Sequence, residues 1–330
     1  MKTYNIALVG ASGAVGAEII SVLEEYQFPI GHFLPLASKR SAGQKIKAFQ
    51  SEYSILETTH ASFTGIDIAF FSAGKSVSEV FAPSAAKIAL VIDNTSHFRL
   101  QEDIPLVVPE VNIQDLNHCP KNIIANPNCS TIQMVQVLNP LHEAFGITRV
   151  DVSTYQAASG AGKRGLIELQ NQMAGDQTCE VFPHPLALNV IPQIDVFLPS
   201  GYTKEEMKMV QESHKIMHAD FPISATCVRV PVLRSHSESL SIHFKQEVQA
   251  TQAREILKKS PNLVIIDDPS KGLYPMPITA SCSDQTFIGR IRNDLFDSKI
   301  LHLWCVADQL RVGAATNAVK IALEWIKTHR

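Results

Sequence analysis

Asn5–Val9 is continuously apolar, and from Ala14 to Tyr26 the apolar positions Val15, Ile19, Val22 and Leu23 fall at helical spacing. That change of period across a glycine turn predicts a strand followed by a helix. His32–Ala37, Asp67–Phe71, Ile88–Asp93 and Asn122–Ala125 read as further strands, and Ser76–Lys87 as a helix interrupted by Pro83. Strands alternating with helices predict βαβ units and a parallel sheet. Beyond about residue 130 the pattern changes. Ile147–Gln156 alternates, with Val150, Val152 and Thr154 on one face, as in an antiparallel strand with one face in water. Ala225–Val232, Ser239–Lys245 and Ile300–Ala307 read similarly, with helices between them, an α+β pattern. Val312, Ala315, Val319, Ala322 and Ile326 make one stripe of a terminal helix. The expectation is an α/β chain with a first domain over 1–128, a second over 129–310, and a helix over 311–330 that docks back on the first.

Composition narrows the function classes. The chain has 330 residues, 45% hydrophobic and 18% charged, which excludes a disordered or fibrous protein. Lys and Arg number 29 against 32 Asp and Glu, a net charge of −3 that argues against nucleic acid as a partner. No apolar run approaches the roughly 18 residues needed to cross a bilayer, and the first glycines come too early for a signal peptide. Six cysteines, at 119, 129, 179, 227, 282 and 305, include no Cys-x-x-Cys pair. Neither a disulfide framework nor a metal site is expected, and the thiols read as reduced in a cytoplasmic protein.

Gly10-Ala11-Ser12-Gly13-Ala14-Val15-Gly16 lies between the first strand and the first helix. Glycines there allow a tight turn and close backbone approach, and a helix N-terminus offers N–H groups to a pyrophosphate. In that context the turn predicts a Rossmann-type dinucleotide-binding domain. The end of the second strand reads Ser38-Lys39-Arg40-Ser41, with two cations, flanking hydroxyls and no acid. Such a group suits a 2′-phosphate, so NADP is expected over NAD, with Arg40 the stronger candidate and Lys39 equally readable as a solvated loop residue.

Cys129 follows Asn126-Pro127-Asn128 and precedes an apolar helix read over Ile132–Phe145. A thiol at a helix N-terminus has its thiolate stabilised by the free N–H groups. Cys119 and Cys179 read as loop residues, and Cys227, Cys282 and Cys305 as residues of strand-like runs. A thiol nucleophile beside a nicotinamide suggests addition to an aldehyde or acyl carbon coupled to hydride transfer. His236 is one of twelve histidines, so its identity alone says little.

Taken together, several segments resemble the aspartate-semialdehyde dehydrogenase family. They are Gly10–Gly16, Asn94–Arg99, Val107–Asn112, Asn128–Thr131, Thr154–Gly162, Arg229–Val232 and His236–Ser239, in the family's order and spanning the chain. One small departure is His97, where the family often has an aromatic. The resemblance implies a two-domain fold whose second domain is catalytic and forms a homodimer. It implies Cys129 as nucleophile, His236 as acid/base and Gln156 as the residue orienting the acyl group. Arg229 matches the arginine for the substrate carboxylate; Arg99 and Lys208 match a phosphate-binding pair. Glu205 matches the acid facing the substrate ammonium, with its neighbour Glu206 the alternative; by spacing alone Glu205–Lys208 is an exposed salt bridge. Asn128, Ser159, Gly160 and Asn317 match residues lining the thiol, nicotinamide or phosphate sites, and Ser38–Ser41 resembles the family's NADP version. The implied reaction is reductive dephosphorylation of β-aspartyl phosphate, in biosynthesis of lysine, threonine, methionine and isoleucine. The alternatives are a related acyl-phosphate reductase such as the N-acetylglutamyl-phosphate type, whose turn has glycine before the cysteine, and a non-catalytic NADPH-binding regulator. Glyceraldehyde-3-phosphate dehydrogenase would require Ser-Cys-Thr-Thr-Asn, which is absent.

Overall fold

The computed structural model describes residues 2–328, which divide into two units. The first comprises the chain up to Asn128 together with the segment from Ala314 onward, and the second runs from Cys129 to Gly313.

In the first unit the chain forms β1 (Tyr4–Val9), α1 (Ala14–Glu25), β2 (Ile30–Ala37), a hairpin of β3 (Lys45–Ala48) and β4 (Ser51–Ser54), and β5 (Leu56–Glu57). Then come β6 (Ile68–Phe71), α2 (Lys75–Ala85), β7 (Leu90–Asp93), α3 (Pro109–Asn112) and β8 (Ile123–Ala125). The sheet order is β5-β2-β1-β6-β7-β8, with every pairing parallel. The chain winds outward in both directions from β1, so the topological switch point lies at the carboxyl ends of the paired strands β1 and β6. Its strands are buried on both faces, as a parallel sheet sandwiched by helices requires: Ile6, Ala7, Leu8 and Val9 are fully buried. Ile19, Val22 and Leu23 of α1 join this core.

The second unit contains α4 (Cys129–Phe145), β9 (Ile147–Gln156), α5 (Gly162–Met173), α6 (Lys204–Met217), β10 (Ile223–Arg229) and β11 (His236–Phe244). It continues with α7 (Ala250–Lys259), β12 (Leu263–Ile265), α8 (Pro277–Ala280), β13 (Thr286–Asn293) and β14 (Ile300–Ala307). The sheet order is β10-β9-β11-β14-β13-β12. It is mixed rather than antiparallel throughout: β9 and β10 pair in parallel, as do β12 and β13. The long connection through α5 and α6 returns the chain to its starting edge, which a hairpin cannot do. Helices α4, α6 and α7 cover one face, whereas Asp151, Ser153 and Tyr155 of β9 alternate out of the core on the other.

The chain re-enters the first unit through a π-helical turn, Arg311–Ala315, and α9 (Thr316–Thr328). The expected single helix from Val312 is thus broken at its start. The expected break at 311 moves to 314, because Arg311 pairs with Asp284 of the second unit at 2.8 Å. Ala315, Ala318, Val319, Ile321 and Ala322 complete the core of the first unit. Cys282, read as part of a strand, instead occupies an exposed turn with φ +65°, since Pro275 and Pro277 interrupt any extended run before it.

Candidate active site

Three strands of the second unit deliver residues to one edge of its sheet. β9 and β10 are parallel, so both end there, with Gln156 and Arg229 paired in register. β11 runs antiparallel to β9 and therefore begins there, with His236. β14 ends opposite His236 at Ala307. Its continuation brings Gly313 against the first residue of α4, Cys129: a Cβ at 313 would lie 2.6 Å from the Cys129 Cβ.

Two side chains are anchored on the backbone of a single residue, Ala157. The Ala157 N–H donates to His236 Nδ1 at 3.0 Å, and Arg229 Nη1 donates to the Ala157 carbonyl at 2.7 Å. A backbone N–H can only donate, so Nδ1 is unprotonated and the neutral ring carries its hydrogen on Nε2. Nε2 is buried and makes no hydrogen bond among the described residues. Burial, with the Arg229 charge second, pulls the imidazole down to about 3, which keeps it neutral at pH 7. Arg229 is itself buried, which lowers its pKa, while Glu205 and Cys129 act in the opposite sense. Gly160 faces both residues: a Cβ there would meet Arg229 Nη1 at 2.9 Å and His236 Cε1 at 3.0 Å.

Gln156 and the start of α6 form the adjoining wall. The Gln156 amide donates to Glu205 at 3.2 Å and accepts from Thr154 Oγ1 at 2.9 Å. Lys208 bonds Glu205 and Asp195, each at 3.0 Å. Burial works against its charge, but the two carboxylates outweigh burial and raise its pKa. The pair is therefore no free surface bridge, since Glu205 is only 5% exposed. Glu206 is committed elsewhere, accepting from the Thr203 N–H in a capping box and from the Cys227 N–H. Burial raises the thiols of Cys119, to about 11, and of Cys227 and Cys305, whereas Cys129 retains partial exposure at a helix start.

The remaining candidates lie in the first unit. Gly10 has φ +97°, and a Cβ there would come within 2.7 Å of Ser72 Oγ; at Gly16 it would lie 2.3 Å from the Gly10 carbonyl. The turn that carries Ala11, Ser12, Gly13, Ala14 and Val15 therefore has its shape only with glycine at both ends. No side chain caps α1, which leaves its first N–H groups for a ligand. Ser38 and Arg40 are exposed after β2 and Ser41 is half-buried, with no acid among them. Arg99 is buried, and Nη2 donates to the Asn94 carbonyl at 2.9 Å. Its turn is braced by Asp93, which accepts from Ser78 Oγ, Thr95 N and Thr95 Oγ1. Asn317 donates to Val107 and Asn126, bracing the turn that ends in buried Asn128; its Oδ1 is a buried acceptor with no partner among the described residues. Ser159 and Gly160 belong to the second unit. The glycine cradle, the uncapped helix and the vacant acceptor fit a dinucleotide.

Two family models match the chain: "Semialdehyde dehydrogenase, NAD binding domain" over residues 5–119 and "Semialdehyde dehydrogenase, dimerisation domain" over residues 138–312. The aspartate-semialdehyde dehydrogenase of Helicobacter pylori strain J99 is 62% identical, with 99% of each chain covered. The chain belongs to the aspartate-semialdehyde dehydrogenase family. That of Bacillus subtilis is 47% identical, with 97% of each chain covered. The crystal structure of aspartate semialdehyde dehydrogenase II from Vibrio cholerae, complexed with ASA, superposes with a TM-score of 0.96 at 41% identity over 99% of each chain. Membership in the aspartate-semialdehyde dehydrogenase family makes the chain an oxidoreductase with an N-terminal NAD(P)-binding domain. Gly313 and Gln309 went unrecognised in the sequence, although both follow β14 and both reach the site's edge.

Proposed function

We propose that the chain is an NADP-dependent aspartate-semialdehyde dehydrogenase that reduces β-aspartyl phosphate through an acyl-thioester on Cys129. The observation carrying this reading is the backbone of Ala157, which holds the arginine proposed to bind carboxylate and a neutral histidine on one residue. The Cys129 thiolate attacks the acyl carbon, the C–O bond to phosphate breaks, and phosphate departs with the bonding electrons. N–H groups at the start of α4 stabilise the intermediate oxyanion. Arg229 grips the substrate carboxylate bidentately, which suits its planar fork. Glu205 faces the ammonium and Gln156 orients the acyl group, while Arg99 and Lys208 bind phosphate. NADP, held by Gly10–Val15, Ser38, Arg40, Ser41, Ser159, Gly160 and Asn317, supplies the hydride when bound in reduced form. His236 donates a hydrogen bond from Nε2–H to the oxyanion that follows and keeps its proton, and that oxyanion collapses as the C–S bond breaks, releasing semialdehyde and restoring the Cys129 thiolate.

The domain assignment, in this reading, is cofactor binding up to Asn128, catalysis and dimerisation from Cys129, and a C-terminal helix serving the cofactor domain. A homodimer is supported by the family model named for dimerisation. Among the described residues no helix is long and apolar enough to cross a membrane, and the enzyme is assigned to the cytoplasm. Its product serves biosynthesis of the aspartate-derived amino acids.

The test is phosphate-dependent reduction of NADP by aspartate semialdehyde, run beside N-acetylglutamate semialdehyde. Turnover with the first and not the second is expected. Preference for the second assigns the related reductase activity, and no turnover with either removes the enzymatic reading.

A further inference from the structure

The histidine's position rests on two residues outside the proposed machinery, the strained Ser235 and the buried Gln309 that clasps it. Ser235, immediately before His236, is fully buried and has φ +74°, in the left-handed region that a serine occupies at a cost. Its N–H donates to Gln309 Oε1 at 2.7 Å. The other end of the same amide, Nε2, donates to Ser159 Oγ, which in turn donates to the Leu233 carbonyl. The directions are forced: Ser235 N can only donate, so Oε1 must face it, and the Ser159 hydroxyl has spent its one hydrogen on Leu233. Gln309 is 3% exposed, and the adjacent Asp308 fixes its turn by accepting from Leu310 N at 2.9 Å and from Cys282 N at 2.6 Å. One buried amide thus ties the segment entering β11 to the turn that carries Gly160, whose backbone lies against His236.

From this geometry we infer that Gln309 is a positioning residue: it holds Ser235 in its left-handed conformation and thereby sets the His236 ring against Ala157 and Gly160. The inference rests on the hydrogen-bonding role given to His236.

Gln309→Leu withdraws both hydrogen bonds. It is expected to lower kcat by about 10–10²-fold, the scale of a misplaced catalytic group, with KM for semialdehyde and for NADP changed less than about threefold. A glycine adopts φ +74° without strain, so adding Ser235→Gly to Gln309→Leu should restore most of the lost kcat, measured against Ser235→Gly alone. A merely structural contact would not be rescued in this way. If the double variant is no more active than Gln309→Leu, the inference falls. A raised KM for NADP at unchanged kcat overturns it as well, making Gln309 a cofactor contact. Should the leucine variant not fold, Gln309→Met keeps the length of the side chain while removing both hydrogen bonds. Lower kcat at constant KM then supports the inference, and unchanged kcat refutes it. His236→Asn is assayed alongside: full activity there would fail the reading of the site, whereas an impaired His236→Asn beside an unimpaired Gln309 variant fails only this inference.

Discussion

The two units offer contrasting ways to build a site. In the first, the candidate cofactor contacts are largely main chain: a glycine turn, the uncapped start of α1 and an exposed basic loop after β2. In the second they are buried side chains, Gln156, Arg229 and His236, held by hydrogen bonds with the backbone of Ala157 just after β9 and with Glu205 of helix α6. A main-chain site is specified over a few consecutive residues. A side-chain site depends on register across a whole sheet. The first should therefore be damaged by adding atoms and the second by removing them.

The largest effect tests the second half of that contrast. Cys129→Ala should reduce turnover by at least about 10⁴-fold, the order seen when a covalent nucleophile is lost, while NADPH still binds. Mass spectrometry of enzyme quenched with β-aspartyl phosphate should find an aspartyl adduct on the Cys129 peptide. An adduct on another cysteine would refute the mechanism.

Gly313→Ala probes where the contrast breaks down, since here added atoms should damage the side-chain site. A Cβ 2.6 Å from that of Cys129 must displace the thiol or its turn. A misplacement of about 1 Å costs around 10²-fold in rate, and overpacking costs about 1–3 kcal/mol of stability. Steady-state kinetics and thermal unfolding together check both, and a near-normal kcat would mean that the turn adapts.

Arg40→Asp tests a side chain, rather than main chain, in the cofactor half of the first unit. A carboxylate there repels a 2′-phosphate, so NADP should weaken by at least about tenfold more than NAD, a difference of roughly 1.4 kcal/mol. Titration of both cofactors decides it, and an equal loss for both removes the NADP assignment.

The smallest effect is on stability. Glu238 is fully buried on β11, and burial raises its carboxyl well above the usual range, opposed by the Gln133 side chain. Its contribution is present below the unfolded-state pKa and declines as pH rises, because the unfolded chain releases a proton that the native state retains. Glu238→Gln should therefore stabilise the protein at pH 8 relative to wild type, with a smaller gain at pH 5. Melting temperatures at the two values test this, and a gain confined to pH 5 would reverse the sign.

The contrast also explains what could be read in advance. β1, α1, β6 and β7 start or end within two residues of their expected limits, because continuous apolar runs and a helical stripe are local signals. The β3–β4 hairpin and β5 went unanticipated: they are short and largely exposed, so no hydrophobic period marks them. β13 was hidden by a bulge between Gly289 and Arg292, where Arg290 turns to φ +54° and breaks the alternation. Alternation marks a strand without giving its direction, hence the parallel β9–β10 pair came only with the structure. At the site, Cys129 carried a local sign in its helix start. Gln309 and Gly313 did not, because their consequence lies in contacts far along the chain, with Ser235, Ser159 and Cys129. Spacing likewise could not separate Glu205 from Glu206, which differ in that the capping box engages Glu206.

The return of the chain into its first unit has a consequence for biogenesis. Synthesis proceeds from the N-terminus, yet the core around Ile6, Leu8 and Ile19 is completed by Ala315, Val319 and Ile321. While the ribosome is translating the second unit, the first must wait with apolar surface uncovered. A stop codon shortly after β14 would release a chain whose catalytic unit has nearly all its residues while its cofactor unit lacks part of its interior.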